Sequence, residues 1–373
     1  MLDDITQAVL ARDEMVKYLQ GGHGRSALQA RERIHAYLDE LRTTQRYPIY
    51  RALKHPLYPI LRKVDRRAEN VDAARAATRN GRVIYVSNHK SHLDYLIEPL
   101  LIDDNGIRPP VIAAGINLFG GPLGLIHRHV TGAVPIRRNT KDPAYLITLK
   151  AYVSELLRRH DLLFYIEGGR SYSGELKAPK TGLVHAAMQT DQSGATIVPL
   201  AVAYDLVLED RVLARLAEKR RQRPFARELA ELVRHAVGYR SRAFVTFGTP
   251  ISLDQYDPQA RRGALDLAHH THEAIGKLYK VLPTAVVAAA MRPSITPGDL
   301  ERRVEDVLDA LESARANLGV RTAGDAVERG LDLLAARGIV VVEAGRVRVR
   351  ERAILKYYAR TIEHLLGAPG RTH

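Results

Sequence analysis

The chain has 373 residues, 46% hydrophobic and 26% charged, an ordinary globular balance with ample length for a sizeable core. It contains no cysteine, which excludes disulfides, a cysteine nucleophile, iron–sulfur clusters and thiolate zinc sites. Lysine and arginine number 56 against 42 acidic residues, and the resulting net charge of +14 favours anionic partners: phosphorylated substrates, acidic proteins, nucleic acid or an anionic membrane face.

Residues 1–75 read as an N-terminal helical region. Val9, Met15, Val16 and Leu19 recur near helical spacing, and Leu28, Ile34 and Leu38 predict another helix after Gly21-Gly22. A basic run follows, with Arg51, Lys54, Arg62, Lys63, Arg66 and Arg67; it is either a solvated face or a surface for lipid headgroups. The first residues, Met1-Leu2-Asp3-Asp4, lack the basic-then-apolar order of a signal peptide. No run of 18 apolar residues exists, and the most lipid-like stretch, 109–136, is broken by Asn117, His127, Arg128 and His129. Peripheral membrane contact, rather than a spanning helix, is the expectation.

From residue 76 to 290 short apolar runs alternate with helices, which predicts an α/β domain. The expected strands are 83–86, 111–114, 133–136, 162–166, 197–203 and 244–247. Pro135 places its strand at an edge or makes it a strand end. The clearest helix starts at Asp142-Pro143, a cap followed by proline at the first helical position. A basic helical stretch over 212–237 carries Lys219, Arg220, Arg221, Arg223 and Arg227, as decoration or as a contact for an anionic partner.

The stretch 291–373 reads as a small separate unit. Thr296-Pro297-Gly298-Asp299 predicts a capped helix start, 324–337 a second helix, and Glu343-Ala344-Gly345 the turn of a β-hairpin. Two helices and a hairpin resemble a winged helix. That raises a nucleic-acid reading, which the mixed charge of 324–337 weakens. A last helix over 352–366 has Ile354, Tyr358 and Ile362 on one side.

The densest chemical signal is Ser87-Asn88-His89-Lys90-Ser91-His92-Leu93-Asp94, directly after the first predicted strand. A turn there can fold the Asp94 carboxylate onto one nitrogen of His89, fixing the tautomer so that the other nitrogen takes a proton. The spacing alone also fits a helix-capping network. A metal reading of His89, His92 and Asp94 lacks a further pair to complete it. Gly132-Ala133-Val134-Pro135-Ile136-Arg137-Arg138 sets two arginines at another strand end. Glu167-Gly168-Gly169-Arg170-Ser171 follows a third strand, and Pro179-Lys180-Thr181-Gly182 comes after it. Glycines allow close backbone approach and arginine offers a planar fork for phosphate. Ligands of α/β sheets bind at strand ends. A base beside a phosphate cradle points to activation of a hydroxyl on a small phosphorylated molecule.

These segments, taken together, resemble the glycerolipid acyltransferases, in particular the bacterial glycerol-3-phosphate acyltransferases. "NHKSHLDYL" resembles the first family block, the H-x4-D motif, with His89 and Asp94; "GAVPIRR" (132–138) the second; "FYIEGGRSYSG" (164–174) the third, followed by "PKTG" (179–182); and "IVPLAVAYD" (197–205) the fourth. "PPVIAAGINLFGGPLG" (109–124) and "ILKYYARTIEH" (354–364) resemble the same subfamily.

The resemblance implies an acyltransferase domain with a central mixed sheet flanked by helices. It implies direct acyl transfer from acyl-CoA or acyl-carrier protein to glycerol 3-phosphate, with no cofactor and no metal. His89 is then the general base and Asp94 its orienting partner. Arg137, Arg170 and Lys180 are expected at the phosphate, with Glu167, Gly168 and Ser171 beside the acceptor or bracing the arginines, and Pro199 on the acyl-donor side. A backbone amide near Lys90 or Gly168 is expected to meet the developing oxyanion. The implied setting is cytoplasmic, peripheral on an anionic inner membrane face. Tyr172 stands where the family has a second basic residue, which keeps dihydroxyacetone phosphate and lysophosphatidic acid as alternative acceptors.

Overall fold

A computed structural model describes residues 2–21, 27–57, 59–190, 194–219, 240–260 and 262–367. The chain begins with α1 (Leu2–Leu10), α2 (Asp13–Gln20), α3 (Ala27–Leu41) and α4 (Tyr47–Leu57). Their helical spacing buries Val9, Met15, Ile34 and Leu38. Next comes a strand, β1 (Val64–Glu69), which corrects the all-helical reading of residues 1–75. Its sequence, VDRRAE, has no apolar run to announce it. It forms by adding in parallel to Ser241–Phe247 at the edge of a sheet, where charged residues are tolerated and protective. Three of the six cations of the basic run pair with acids: Arg51 with Asp103, Arg66 with Asp104 and Arg67 with Asp65. Those three fit a solvated face.

The α/β part continues as α5 (Val71–Asn80), β2 (Val83–Ser87), α6 (Asp94–Asp104), β3 (Val111–Gly115), α7 (Gly121–His129), β4 (Ala133–Ile136) and α8 (Pro143–Leu157). It is completed by β5 (Leu162–Tyr165), α9 (Gly182–Met188), β6 (Thr196–Tyr204), α10 (Asp210–Lys219), β7 (Ser241–Phe247), β8 (Ile251–Ser252), α11 (Gly263–Leu278), β9 (Lys280–Val281) and α12 (Pro283–Ala290). All six predicted strands are present. The expected basic helix runs into α10, and beyond residue 219 it lies outside the described residues.

The eight-stranded sheet has the order β1-β7-β6-β2-β5-β3-β4, with β8 also paired to β6. Strands β2 to β6 are mutually parallel where they pair, while β7 and β8 run antiparallel to β6, so the sheet is mixed. Every residue of β2 is buried. A strand covered on both faces reads as a continuous apolar run, which is why the sequence marked it. Pro135 sits in the edge strand β4, where a missing donor costs no ladder bond. Pro199 lies inside β6, and its carbonyl accepts from the Gly248 amide. Its nitrogen faces that same side, where the neighbouring strand changes from β8 to β7 and no pairing asks for a donor. Helix α8 starts as its sequence predicts, with Asp142 accepting from the Ala144 amide.

The C-terminal unit comprises β10 (Ser294–Ile295), α13 (Pro297–Ser313), β11 (Asn317–Leu318), α14 (Ala323–Ala336), β12 (Val340–Glu343), β13 (Arg346–Val349) and α15 (Arg352–Arg360). The strands pair in the order β10-β13-β12, and α12, α13 and α14 pack together, giving a winged-helix arrangement. The unit is tied to the sheet domain by a buried ion pair, Arg337 Nη2 to Asp210 Oδ1 at 2.6 Å, and by the Tyr358 hydroxyl donating to Asp210 Oδ2 at 2.9 Å.

Candidate active site

β2 ends in the core and delivers His89 to the C-terminal edge of the sheet. The chain then turns back, and Asp94 opens α6. Asp94 Oδ2 is 2.9 Å from His89 Nδ1 and accepts from the amides of Lys90 at 2.7 Å and Ser91 at 2.9 Å. Its Oδ1 accepts from the Tyr204 hydroxyl at 2.5 Å. One carboxylate therefore caps the turn and holds the imidazole: the capping network and the His–Asp pair are the same structure. With Nδ1 committed to Asp94, Nε2 is the nitrogen left to take a proton.

The His89 ring is 9% exposed and stacks on Tyr165, centroids 4.0 Å apart and planes at 11°. Burial first, and then the charge of Arg170, push its pKa well below the ordinary histidine value, so the ring is neutral at neutral pH. Burial raises Asp94 to about 6, against the pull of its donors Ser91, Tyr204 and Lys90.

The pair opens on a cavity of about 110 Å³ lined by His89, His92, Tyr95, Asn117, Arg138 and Arg170, among others. Arg138 lies in a slot made by two glycines. A Cβ on Gly115 would come within 2.7 Å of its Nη2, and one on Gly169 within 3.2 Å of its Nη1. Among the described residues Arg138 has no carboxylate partner. Arg170 is 3.3 Å from Glu209 Oε1 and lies over the Tyr172 ring. Two guanidiniums thus stand on the cavity wall, of which Arg170 is shared with Glu209. An adjoining groove of about 680 Å³ has Leu146, Leu149, Phe164 and Leu183 on its walls and Lys177 and Lys180 on its border.

The expected site residues are not all brought together. Arg137 turns away from the smaller cavity: its Nε donates to Glu40 Oε1 at 2.7 Å and it lies over the rings of Tyr37 and Tyr145. Adjacent residues at a strand end point to opposite sides, and Arg138 is the one that faces His89's cavity. Glu167 braces backbone, accepting from the amides of His89 and Lys177. Ser171 is fully buried, its amide donating to the His89 carbonyl. Gly168 takes a φ of +67°, the turn that lets Lys180 pack beside it. Pro199 lines neither cavity. The amides expected for the oxyanion are already used, Lys90 by Asp94 and Gly168 by the Tyr165 carbonyl. The sequence reading missed Glu209, which accepts from the His92 amide and holds Arg170; it arrives from the far end of β6 with no local signal. It also missed the buried Lys90 ammonium, which donates to the Gly174 and Glu175 carbonyls and locks the loop that carries Arg170.

Residues 65–203 match the acyltransferase family. A glycerol-3-phosphate acyltransferase of Aeromonas hydrophila is 33% identical over 62% of this chain and 30% of its own. One of Glaesserella parasuis is 30% identical over 91% of this chain and 47% of its own, and one of Actinobacillus succinogenes 38% identical over 50% and 24%. The chain thus spans less than half the length of these relatives. A solved structure, the 1-acyl-sn-glycerophosphate acyltransferase of Thermotoga maritima, is similar over 56% of this chain and 71% of its own, at 15% identity and a TM-score of 0.33. With its H-x4-D pair and the three following blocks set around one sheet edge, the chain carries an acyltransferase-family match over residues 65–203 and is similar, over part of their length, to the bacterial glycerol-3-phosphate acyltransferases.

Proposed function

We propose that this chain transfers a fatty acyl group from acyl-CoA or acyl-carrier protein to a hydroxyl of glycerol 3-phosphate, giving lysophosphatidic acid. The observation that carries the reading is a neutral, buried imidazole, oriented by Asp94, facing a cavity walled by Arg138 and Arg170. His89 Nε2 removes the hydroxyl proton as the oxygen attacks the thioester carbonyl. The new C–O bond forms, the C–S bond breaks, and the proton passes to the leaving sulfur. Arg138 and Arg170 hold the phosphate and stabilise charge as it develops. The apolar groove beside them takes the acyl chain. No covalent acyl-enzyme is required.

The product is amphipathic, so we place the chain at a membrane surface, peripheral to the cytoplasmic face. No helix among the described residues is long and apolar enough to cross a membrane. Support comes from Ile116 and Leu125, 40% and 64% exposed, which lie with Arg128 on the segment that carries the cavity residues Asn117 and Leu118. Apolar side chains with a cation beside them suit an anionic lipid interface.

Dihydroxyacetone phosphate and lysophosphatidic acid remain alternative acceptors, because Tyr172 supports Arg170 with a ring where relatives would add a cation. The test supplies palmitoyl-CoA or a palmitoyl carrier protein with each of the three acceptors, and identifies products by mass spectrometry. Product from glycerol 3-phosphate, absent in His89→Ala, supports the reading. Product from another acceptor alone reassigns the arginine cradle. Folded protein that acylates none of them, with lipid supplied, removes it.

A further inference from the structure

Glu98 lies one helical turn after Asp94 on α6 and is completely buried, yet it lines neither cavity. The Ser87 hydroxyl, at the end of β2, donates to its Oε1. Its other oxygen, Oε2, has no well-formed partner among the described residues, and neither has the buried hydroxyl of Tyr165, which faces the same carboxyl group. Tyr165 is the residue whose ring stacks on His89.

We propose that Glu98 is a positioning residue: its carboxyl group joins Ser87 to Tyr165 and so fixes the ring against which the base is stacked. The inference rests on the reading of His89 as general base.

Glu98 does this as a neutral acid. An ionised carboxylate here would be a fully buried charge one turn from the charge of Asp94. Burial, and then the charge of Asp94, push its pKa well above the ordinary carboxylate range. The titratable groups that face it are Asp94 from its own helix, Tyr165 from β5 and Tyr204 from β6. Asp94 differs in having four donors, from His89, Lys90, Ser91 and Tyr204, so the single charge of the pair settles there. One proton on Glu98 meets both remaining needs. Oε2–H donates to the Tyr165 oxygen, while Oε1 goes on accepting from the Ser87 hydroxyl.

The experiment compares Glu98→Gln and Glu98→Leu with the parent chain and with His89→Ala, using palmitoyl-CoA and glycerol 3-phosphate. Gln keeps a neutral hydrogen-bonding group, so turnover is expected within about threefold of the parent and the acid limb of the pH profile stays in place. Leu removes both links, and kcat is expected to fall at least tenfold with little change in KM. A Glu98→Leu protein with parental kcat overturns the proposal, as does Glu98→Gln losing as much as Glu98→Leu, which would mean that a negative charge is needed. If His89→Ala keeps its activity, the base reading fails instead.

A folding measurement covers the case where Glu98→Leu does not fold. A carboxyl held neutral only in the folded state costs stability as pH rises above its unfolded value near 4.5. The melting temperature of Glu98→Gln should therefore match the parent near pH 4 and gain on it steadily towards pH 8. A gap that does not change with pH overturns the neutral-acid assignment.

Discussion

His89 and Asp94 meet at 2.9 Å inside a turn that the same Asp94 oxygen closes by accepting the amides of Lys90 and Ser91. Orienting the base and folding the loop are therefore one task, and the two residues should respond differently to substitution.

His89→Ala removes only the ring that takes the proton. Turnover should fall by about 10²–10⁴-fold, the usual contribution of a general base. Thermal stability should fall less than in Asp94→Ala, because the neutral ring gives up one hydrogen bond and its stack on Tyr165 but strands no amide. Asp94→Ala should lose turnover as far and also lose about 2–5 kcal/mol of stability, since it strands the Lys90 and Ser91 amides and the Tyr204 hydroxyl. Activity and melting curves on both variants check this. Equal stability loss in the two would contradict the division of labour.

The depressed His89 pKa sets the acid limb of activity. The folded protein holds the ring neutral, so its contribution to stability is present above the unfolded histidine value near 6.5 and is lost as pH falls through the lower folded value. Turnover at saturating substrate should therefore persist below pH 6.5, down to the range where Asp94, raised to about 6, takes up a proton and stops orienting the ring. A kcat profile that halves at 6.5 would show a solvent-exposed, ordinary histidine. Arg170→Ala removes the largest nearby charge that depresses the ring, and should move the limb upward.

The sheet strands, the His89–Asp94 pair and the glycine-flanked arginine loop were legible because each is local. A buried strand is a short apolar run, and a turn with a carboxylate five residues from a histidine closes on itself. Edge strand β1 was not legible, because its stability comes from Ser241–Phe247, far along the chain. Nor was Glu209, brought 39 residues beyond Arg170 by tertiary packing. The sequence shows the pair Arg137-Arg138 but not the side each faces, so it does not tell which of the two meets the cavity.

The roles of the two arginines are open to direct test. Arg138 faces the cavity with no carboxylate partner among the described residues, while Arg137 is engaged by Glu40. Arg138→Ala should raise the KM for the phosphorylated acceptor by about tenfold or more, the scale of a charge-assisted contact of 1.5–3 kcal/mol. Arg137→Ala should change it less than about threefold and act on stability instead. Steady-state kinetics with glycerol 3-phosphate decide between them, and a larger KM effect at Arg137 would return it to the cradle.

The winged-helix unit is coupled to this cradle through two neighbouring acids. Asp210 receives Arg337 and Tyr358 from the C-terminal unit, while Glu209, next to it, holds Arg170 and the His92 amide. Arg337 is 4% and Asp210 0% exposed at the side chain, so removing one partner strands a buried charge. Arg337→Met should cost about 3–5 kcal/mol, and the double variant Arg337→Met with Asp210→Asn should recover part of that loss. Loosening this turn should also release Glu209. Arg337→Met is therefore expected to raise the acceptor KM at temperatures where it remains folded, although the residue lies outside both cavities. Stability loss with an unchanged KM would show that the unit only buttresses the fold. A rise in KM that the double variant reverses would show that the winged helix holds the arginine cradle in place.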